Sequence, residues 1–99
     1  MTRKQLESYR SIKREILELK YTLAHPGADA SQGKYYERRI HALQKECDAI
    51  EGYIEGIGDS LTRRIFRMYF LEGKTQREIA GLIHMDRSTV SRKLNAPAR

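Results

Sequence analysis

The first half of the chain carries two apolar stripes at helical spacing. Within residues 2–24, which contain no Gly or Pro, the first stripe repeats every three or four residues: Tyr9, Ile12, Ile16, Leu19 and Leu23. Within residues 36–57 the second alternates steps of four and three: Tyr36, Ile40, Leu43, Cys47, Ile50, Ile54 and Ile57. This spacing is typical of amphipathic α-helices, and the second stripe is an unbroken heptad pattern.

The ends of these two helices predict a hairpin. Thr2 with Gln5 forms a capping-box pattern, and the His25-Pro26-Gly27 segment ends the first helix. Each helix is roughly 34 Å long, with an apolar face too narrow to make a globular core alone. We therefore predict an antiparallel coiled-coil hairpin over residues 1–57 whose stripes also join a second subunit, giving a homodimer.

Residues 58–99 predict three shorter helices, so the expected fold is all-α. Asp59 or Ser60 can cap the first of them, whose apolar positions Leu61, Ile65, Met68 and Tyr69 precede Gly73. The segment from Thr75 to Glu78 is a second capping box that opens the next helix. Asp86 can cap a last helix beginning at Arg87. Two short helices joined by a tight turn, the second one basic, are typical of a helix-turn-helix.

The last two helices have a predicted core and a predicted outer face. Ala80 lies where crossing helices come closest, and the core between them is expected to contain Ile79, Ile83, Met85, Val90 and Leu94. Since Val90 and Leu94 then point inward, the outward positions of the last helix are Arg87, Ser88, Ser91 and Arg92.

Charge narrows the choice of partner. The chain has a formal charge of +6, and residues 58–99 hold nine Lys and Arg against four Asp and Glu. Residues 87–99 contain Arg87, Arg92, Lys93 and Arg99 without any acid. Such a segment attracts polyanions, nucleic acid above all, although a solvated helix face has the same composition.

These features predict a double-stranded DNA contact. Arg can bind guanine O6 and N7 with two hydrogen bonds, and Ser can donate to or accept from several base edges. Thr89 and Lys93 are placed to contact phosphates or flank the site. The predicted DNA-binding set is Thr75, Gln76, Arg77, Arg87, Ser88, Thr89, Ser91, Arg92 and Lys93.

Other classes of function find little support in the sequence. His25, His41 and His84 lack metal-ligand spacing, and the single Cys47 occupies a seam position typical of a packed apolar residue. Without a phosphate-binding glycine loop or a catalytic triad pattern, we expect no enzyme and no cofactor. The longest apolar run, Met68 to Leu71, predicts no membrane span, and the charged N-terminus predicts no secretory signal. The expected location is cytoplasmic, at the nucleoid.

The C-terminal part resembles a known family. Residues 64–80 (RIFRMYFLEGKTQREIA) and 87–92 (RSTVSR), within 59–95, resemble the fourth region of bacterial sigma factors. The whole chain is similar to small phage and prophage sigma-like transcriptional regulators of Gram-positive bacteria. The resemblance implies promoter or operator recognition with the last helix in the major groove. Two departures stand out: His84 replaces the usual turn glycine, and 99 residues leave no room for the sigma region that melts the −10 element.

Three functions follow from this pattern. The first is a dimeric DNA-binding transcriptional regulator. The second is a coiled-coil adaptor that docks on RNA polymerase through Phe66 and Phe70, unless those side chains are buried in the core. The third is a phage DNA-packaging component like a small terminase subunit, which assembles as a ring.

Overall fold

The structure is a computed structural model that describes residues 1–25, 27 and 32–95. Over this part of the chain it is all-α, as predicted, and contains no strand. The helices are α1 (Arg3–Glu7), α2 (Tyr9–Ala24), α3 (Gly33–Glu55), α4 (Ser60–Phe66), α5 (Gln76–Ile83) and α6 (Arg87–Asn95). A π-helical turn, Arg67–Leu71, continues α4. None of the described helices combines the length and apolarity that crossing a membrane requires.

The chain forms two compact units, residues 1–51 and 52–99. The division falls inside α3, whereas the sequence predicts a boundary between residues 57 and 58. The last turn of α3, with the fully buried Ile54, therefore belongs to the C-terminal unit. The assignment of oligomerisation to the first unit and DNA binding to the second stays a prediction.

The first predicted helix is interrupted once. Its N-terminal capping box is present: the Thr2 hydroxyl oxygen accepts from the Gln5 amide at 3.2 Å, and Gln5 Oε1 accepts from the Thr2 amide at 2.8 Å. Ser8 separates α1 from α2 but keeps a right-handed helical conformation. Its hydroxyl donates to the Gln5 carbonyl at 2.6 Å. A serine hydroxyl that binds a nearby carbonyl competes with the helix ladder, which accounts for the interruption.

The N-terminal unit is an antiparallel hairpin of α2 and α3. Tyr9 at the start of α2 donates to Glu51 near the end of α3, whereas Arg39 near the start of α3 pairs with Glu15 at 3.1 Å. The buried side chains are those of the two predicted stripes: Tyr9, Ile12 and Ile16 with Leu43, Cys47 and Ile50, together with Leu6 from α1. Cys47 has no exposed surface, as its seam position predicts. Pro26, part of the predicted stop signal, lies outside the described residues.

After the last turn of α3, the C-terminal unit continues with α4 and its π-helical extension. Asp59 caps α4 by accepting from the Thr62 amide at 2.9 Å. Phe66 and Phe70 are 6% and 4% exposed, with ring centroids 5.3 Å apart. They belong to the core, so the exposed docking pair that the adaptor hypothesis requires is absent at these positions. The chain then turns at Gly73, whose φ of 72° lies in the left-handed region that favours glycine.

The predicted core of the last two helices is largely correct. Ile79, Ala80, Val90 and Leu94 are buried, and Ile83 is half-buried. The prediction for Met85 is wrong, because its side chain is 43% exposed. Met85 follows a left-handed residue, and its amide donates back to the Ala80 carbonyl at 3.0 Å. The chain has therefore left the α5 helix at that point, and the helical spacing no longer applies to Met85.

Candidate nucleic-acid interface

The start of α5 is fixed by reciprocal hydrogen bonds. The Thr75 hydroxyl oxygen accepts from the Glu78 amide at 3.1 Å, and Glu78 Oε1 accepts from the Thr75 amide at 3.0 Å. The bond from the Thr75 amide is the main reason why the pKa of Glu78 is lowered. The capping box thus defines where α5 begins, and it places Gln76 and Arg77 in its first turn, half-buried and exposed respectively.

The turn between α5 and α6 contains a left-handed residue that is not glycine. His84 has φ 56° and ψ 45°. A left-handed conformation costs an ordinary L-residue roughly 1–2 kcal/mol, and His is among the residue types that adopt it most readily. The turn keeps the geometry that a glycine would allow, so the His84 departure leaves the helix-turn-helix intact.

The α6 helix follows at once and has two distinct faces. The Asp86 carbonyl accepts from the amides of Thr89 and Val90 at 3.0 and 3.3 Å, which starts the helix. Val90 and Leu94 are buried one turn apart. Six of the predicted DNA-binding residues lie on α6: Arg87, Ser88 and Arg92 are exposed, and Thr89, Ser91 and Lys93 are half-buried.

Two contacts organise the outer face of α6. The Arg92 guanidinium donates to the Thr89 hydroxyl at 3.3 Å, and the Asn95 amide donates to the Ser91 hydroxyl at 3.2 Å. Successive positions of a helix are separated by 100°, so Arg92 projects almost opposite the midpoint between Val90 and Leu94. Ser88, one turn earlier, lies beside it. This polar face is the part of the domain best suited to entering a groove.

Lys93 is directed elsewhere. Its ammonium pairs with Asp59 at 3.6 Å, which links α6 to the residue that caps α4. The pKa of Asp59 is lowered, first by the hydrogen bonds from Thr62 and then by Lys93. The structure therefore separates Lys93 from Arg92 and Ser88, although the sequence groups them in one binding set.

The comparison with known families agrees with this geometry. Residues 59–95 match the family model described as Sigma-70, region 4. The C-terminal unit contains a sigma-70 region 4-like domain of the DNA-binding helix-turn-helix type. The match spans α4, α5 and α6 and does not reach the N-terminal hairpin. No curated protein and no solved structure matches the chain.

The basic residues of the region 4-like domain fall into two groups. Arg67, Lys74 and Lys93 pair with the carboxylates of Glu55, Glu72 and Asp59. The exposed residues Arg77, Arg87 and Arg92 have no carboxylate partner among residues 1–25, 27 and 32–95. On α4, Arg63 donates to the Ile57 carbonyl at 2.8 Å, and the exposed Arg64 also has no carboxylate partner in the described part of the chain. Positive charge without a carboxylate partner thus lies on α4, at the start of α5 and on α6. Arg99, the fourth cation of the predicted basic segment, lies outside the described residues.

Some exposed residues of the region 4-like domain were not predicted from the sequence. Asn95 extends the polar face of α6 by one turn, and its position four residues after Ser91 was a usable signal. Leu82 and Met85 are large apolar side chains exposed near the turn. Met85 borders a shallow depression together with His84, Asp86 and Thr89. The sequence placed Met85 in the core and therefore gave no indication of this surface.

Proposed function

We propose that the chain is a dimeric, sequence-specific transcriptional regulator that binds promoter or operator DNA with α6 in the major groove. The observation that carries this proposal is the outer face of α6, where Arg92 and Ser88 are exposed opposite the buried Val90 and Leu94. A helix held by one apolar face, with a polar and positively charged face outward, meets the requirements of major-groove recognition.

The residues have separate roles in this proposal. Arg92, Ser88 and Arg87 contact base edges, with the arginines suited to guanine O6 and N7. Ser91 and Thr89 hold the outer face in place through their bonds to Asn95 and Arg92. At the start of α5, Thr75, Gln76 and Arg77 contact the phosphate backbone, which supplies affinity without sequence preference. The protein acts by binding, without catalysis or a cofactor.

The N-terminal hairpin provides the dimer contact. At the end of the hairpin near the α2–α3 connection, Leu17 and Tyr21 of α2 are 67% and 65% exposed. Four seam residues at that end are half-buried: Leu19, Leu23, Tyr36 and Ile40. Two helices alone leave such residues partly exposed to water. A second copy of the hairpin, packed over them, buries them more completely. Two recognition helices would then favour half-sites about 34 Å, or 10–11 base pairs, apart or a multiple of that spacing.

The proposed function implies a cellular location and a second partner. A regulator of bacterial promoters acts in the cytoplasm, at the nucleoid. The resemblance to small sigma-like regulators extends the proposal to a phage or prophage origin. Region 4-like architecture also supports RNA polymerase as a second partner.

Enrichment of bound DNA tests the central claim. Purified protein is incubated with sheared genomic and random duplex DNA at near-physiological salt, and the recovered fragments are sequenced. We expect an enriched motif, repeated at a spacing of one or more helical turns. Retention without an enriched motif would reduce the function to general polyanion binding, and no retention would contradict autonomous DNA binding.

A matched pair of arginine variants assigns the specificity. Arg92→Ala is expected to lower affinity for the enriched motif by about 1–3 kcal/mol and to relax the preference at one position. Arg64→Ala is the control, because Arg64 is an exposed arginine on α4 and its loss changes the net charge equally. The control should keep the motif preference. Equal effects of the two substitutions would remove Arg92 from the base-reading set.

The mass of the assembly separates this proposal from the packaging alternative. Light scattering of the purified protein should give a dimer. A closed ring of many copies would favour a small-terminase-like role, and a monomer would leave the hairpin without its assigned role.

A further inference from the structure

Asp59 bonds to two different elements of the region 4-like domain. Its Oδ2 oxygen accepts from the amide and the hydroxyl of Thr62 at 2.9 and 2.5 Å, which caps α4. The same oxygen lies 3.6 Å from the Lys93 ammonium on α6. One carboxylate therefore caps α4 and lies within ion-pair distance of a cation on the proposed recognition helix.

Lys93 sits at the edge of the DNA-binding face. It follows Arg92 directly and is separated from it by 100° around the α6 axis. A lysine side chain is long and flexible enough to reach a phosphate from such a flanking position. In the structure its ammonium instead lies at Asp59, so the carboxylate competes with the DNA backbone for the same positive charge.

We propose that Asp59 restrains Lys93 from the DNA backbone and so lowers the number of phosphate contacts that the domain makes by one. This inference rests on the proposed DNA-binding function and adds a residue that tunes it. Phosphate contacts supply nearly all of the affinity for unspecific DNA. By holding Lys93, Asp59 weakens binding to random duplex and leaves the arginines of α6 to act at the preferred site.

The salt dependence of binding measures this effect. The logarithm of the binding constant falls with the logarithm of salt concentration by about 0.9 for each phosphate contact. Binding of random duplex and of the enriched motif is measured by fluorescence anisotropy between 50 and 200 mM salt. The variants are Asp59→Asn, Lys93→Gln and the double substitution. Asn is as good an N-cap as Asp, so Asp59→Asn removes the charge and keeps the cap of α4.

The expected pattern depends on both residues. Asp59→Asn should make the salt dependence of the binding constant steeper by about 0.9. The ratio of its binding constant to that of the wild type should therefore fall by roughly threefold across that salt range. Lys93→Gln alone should leave the wild-type slope unchanged. The double variant should return to the wild-type slope, because the freed lysine is then missing. If Asp59→Asn acted only by removing a negative charge, without releasing Lys93, then Asp59→Asn and the double variant would gain affinity equally. That result would contradict the inference.

Three further results would overturn the inference. A lower slope for Lys93→Gln alone means that Lys93 already contacts phosphate in the wild type. An unchanged slope for a folded Asp59→Asn variant means that Asp59 imposes no restraint. Should that variant fail to fold by circular dichroism, Asp59→Ser provides a second uncharged cap. Absence of duplex binding by the wild type would contradict the DNA-binding proposal as well, whereas the first two results leave that proposal standing.

Discussion

Tyr9 donates a hydrogen bond to Glu51 across the N-terminal hairpin, with 2.6 Å between the two oxygens. The bond joins the first turn of α2 to the last turns of α3, and Lys13 reaches the same carboxylate at 3.8 Å. Burial and the neighbouring Glu51 raise the pKa of Tyr9, so the hydroxyl keeps its proton throughout the physiological range. The contact combines a buried aromatic ring with a polar link between the two helices of the hairpin.

The first prediction concerns this bond. Tyr9→Phe keeps the ring and removes the donor, so we expect the free energy of unfolding to fall by about 1 kcal/mol. Urea denaturation followed by circular dichroism measures the change at fixed protein concentration, since an oligomer's stability depends on concentration. Tyr35→Phe is the control, because Tyr35 is 62% exposed and its hydroxyl forms no hydrogen bond with residues 1–25, 27 and 32–95. Equal stability of the two variants would show that the Tyr9 hydroxyl contributes nothing.

The second prediction concerns how the stability of the fold changes at acidic pH. The pKa values of Asp59 and Glu78 are lowered by hydrogen bonds from Thr62 and Thr75. The folded state therefore holds these protons less tightly than the unfolded state. Their stabilising contribution is fully present above their unfolded pKa values, about 4, and is lost as the pH falls through the lower folded values.

A double variant isolates this contribution. Asp59→Asn with Glu78→Gln preserves both caps in uncharged form. Unfolding of wild type and variant is followed between about pH 7 and pH 3, and the difference in their stability should shrink as the pH falls below about 4. A difference that stays constant with pH would mean that neither carboxylate is linked to folding.

The third prediction concerns the turn between α5 and α6. Replacing His84 with glycine relieves the left-handed strain but increases the freedom of the unfolded chain. We expect a net gain of roughly 0.5–1 kcal/mol, visible as a rise of several degrees in Tm. His84→Ala is the control and should give no gain, since alanine retains a Cβ atom. A lower Tm for the glycine variant would show that the left-handed strain at His84 is smaller than the entropy that glycine adds to the unfolded chain.

The sequence was most informative where a pattern extends over several helical turns. The heptad stripe of α3 predicted the burial of Leu43, Cys47 and Ile50, and the two capping boxes predicted the starts of α1 and α5. These features depend on residues close together in the chain. Caps and stripes are local, so the sequence alone determines them.

Features that depend on distant or irregular geometry were not predictable. The π-helical turn that brings Phe66 and Phe70 together spans too few residues to alter the apolar spacing. The prediction for Met85 extended the helical spacing of α5 past Ile83, where the helix ends, and therefore placed Met85 in the core. The Asp59–Lys93 pair joins residues at opposite ends of the domain, so the predicted phosphate contact of Lys93 took no account of the nearby carboxylate.

The last prediction uses Cys47 as a reporter of hairpin opening. The thiol has no exposed surface, and burial raises its pKa, so a thiol reagent reaches a reactive sulfur only when α2 and α3 separate. We expect labelling at pH 8 to be at least about 100-fold slower in the native protein than in urea, where the chain is open.

Because Tyr9→Phe weakens the hairpin by about 1 kcal/mol, it should speed native-state labelling about fivefold. Tyr35→Phe should label at the wild-type rate. Rapid labelling of the wild type would mean that the seam around Cys47 opens without the free-energy cost that its burial implies.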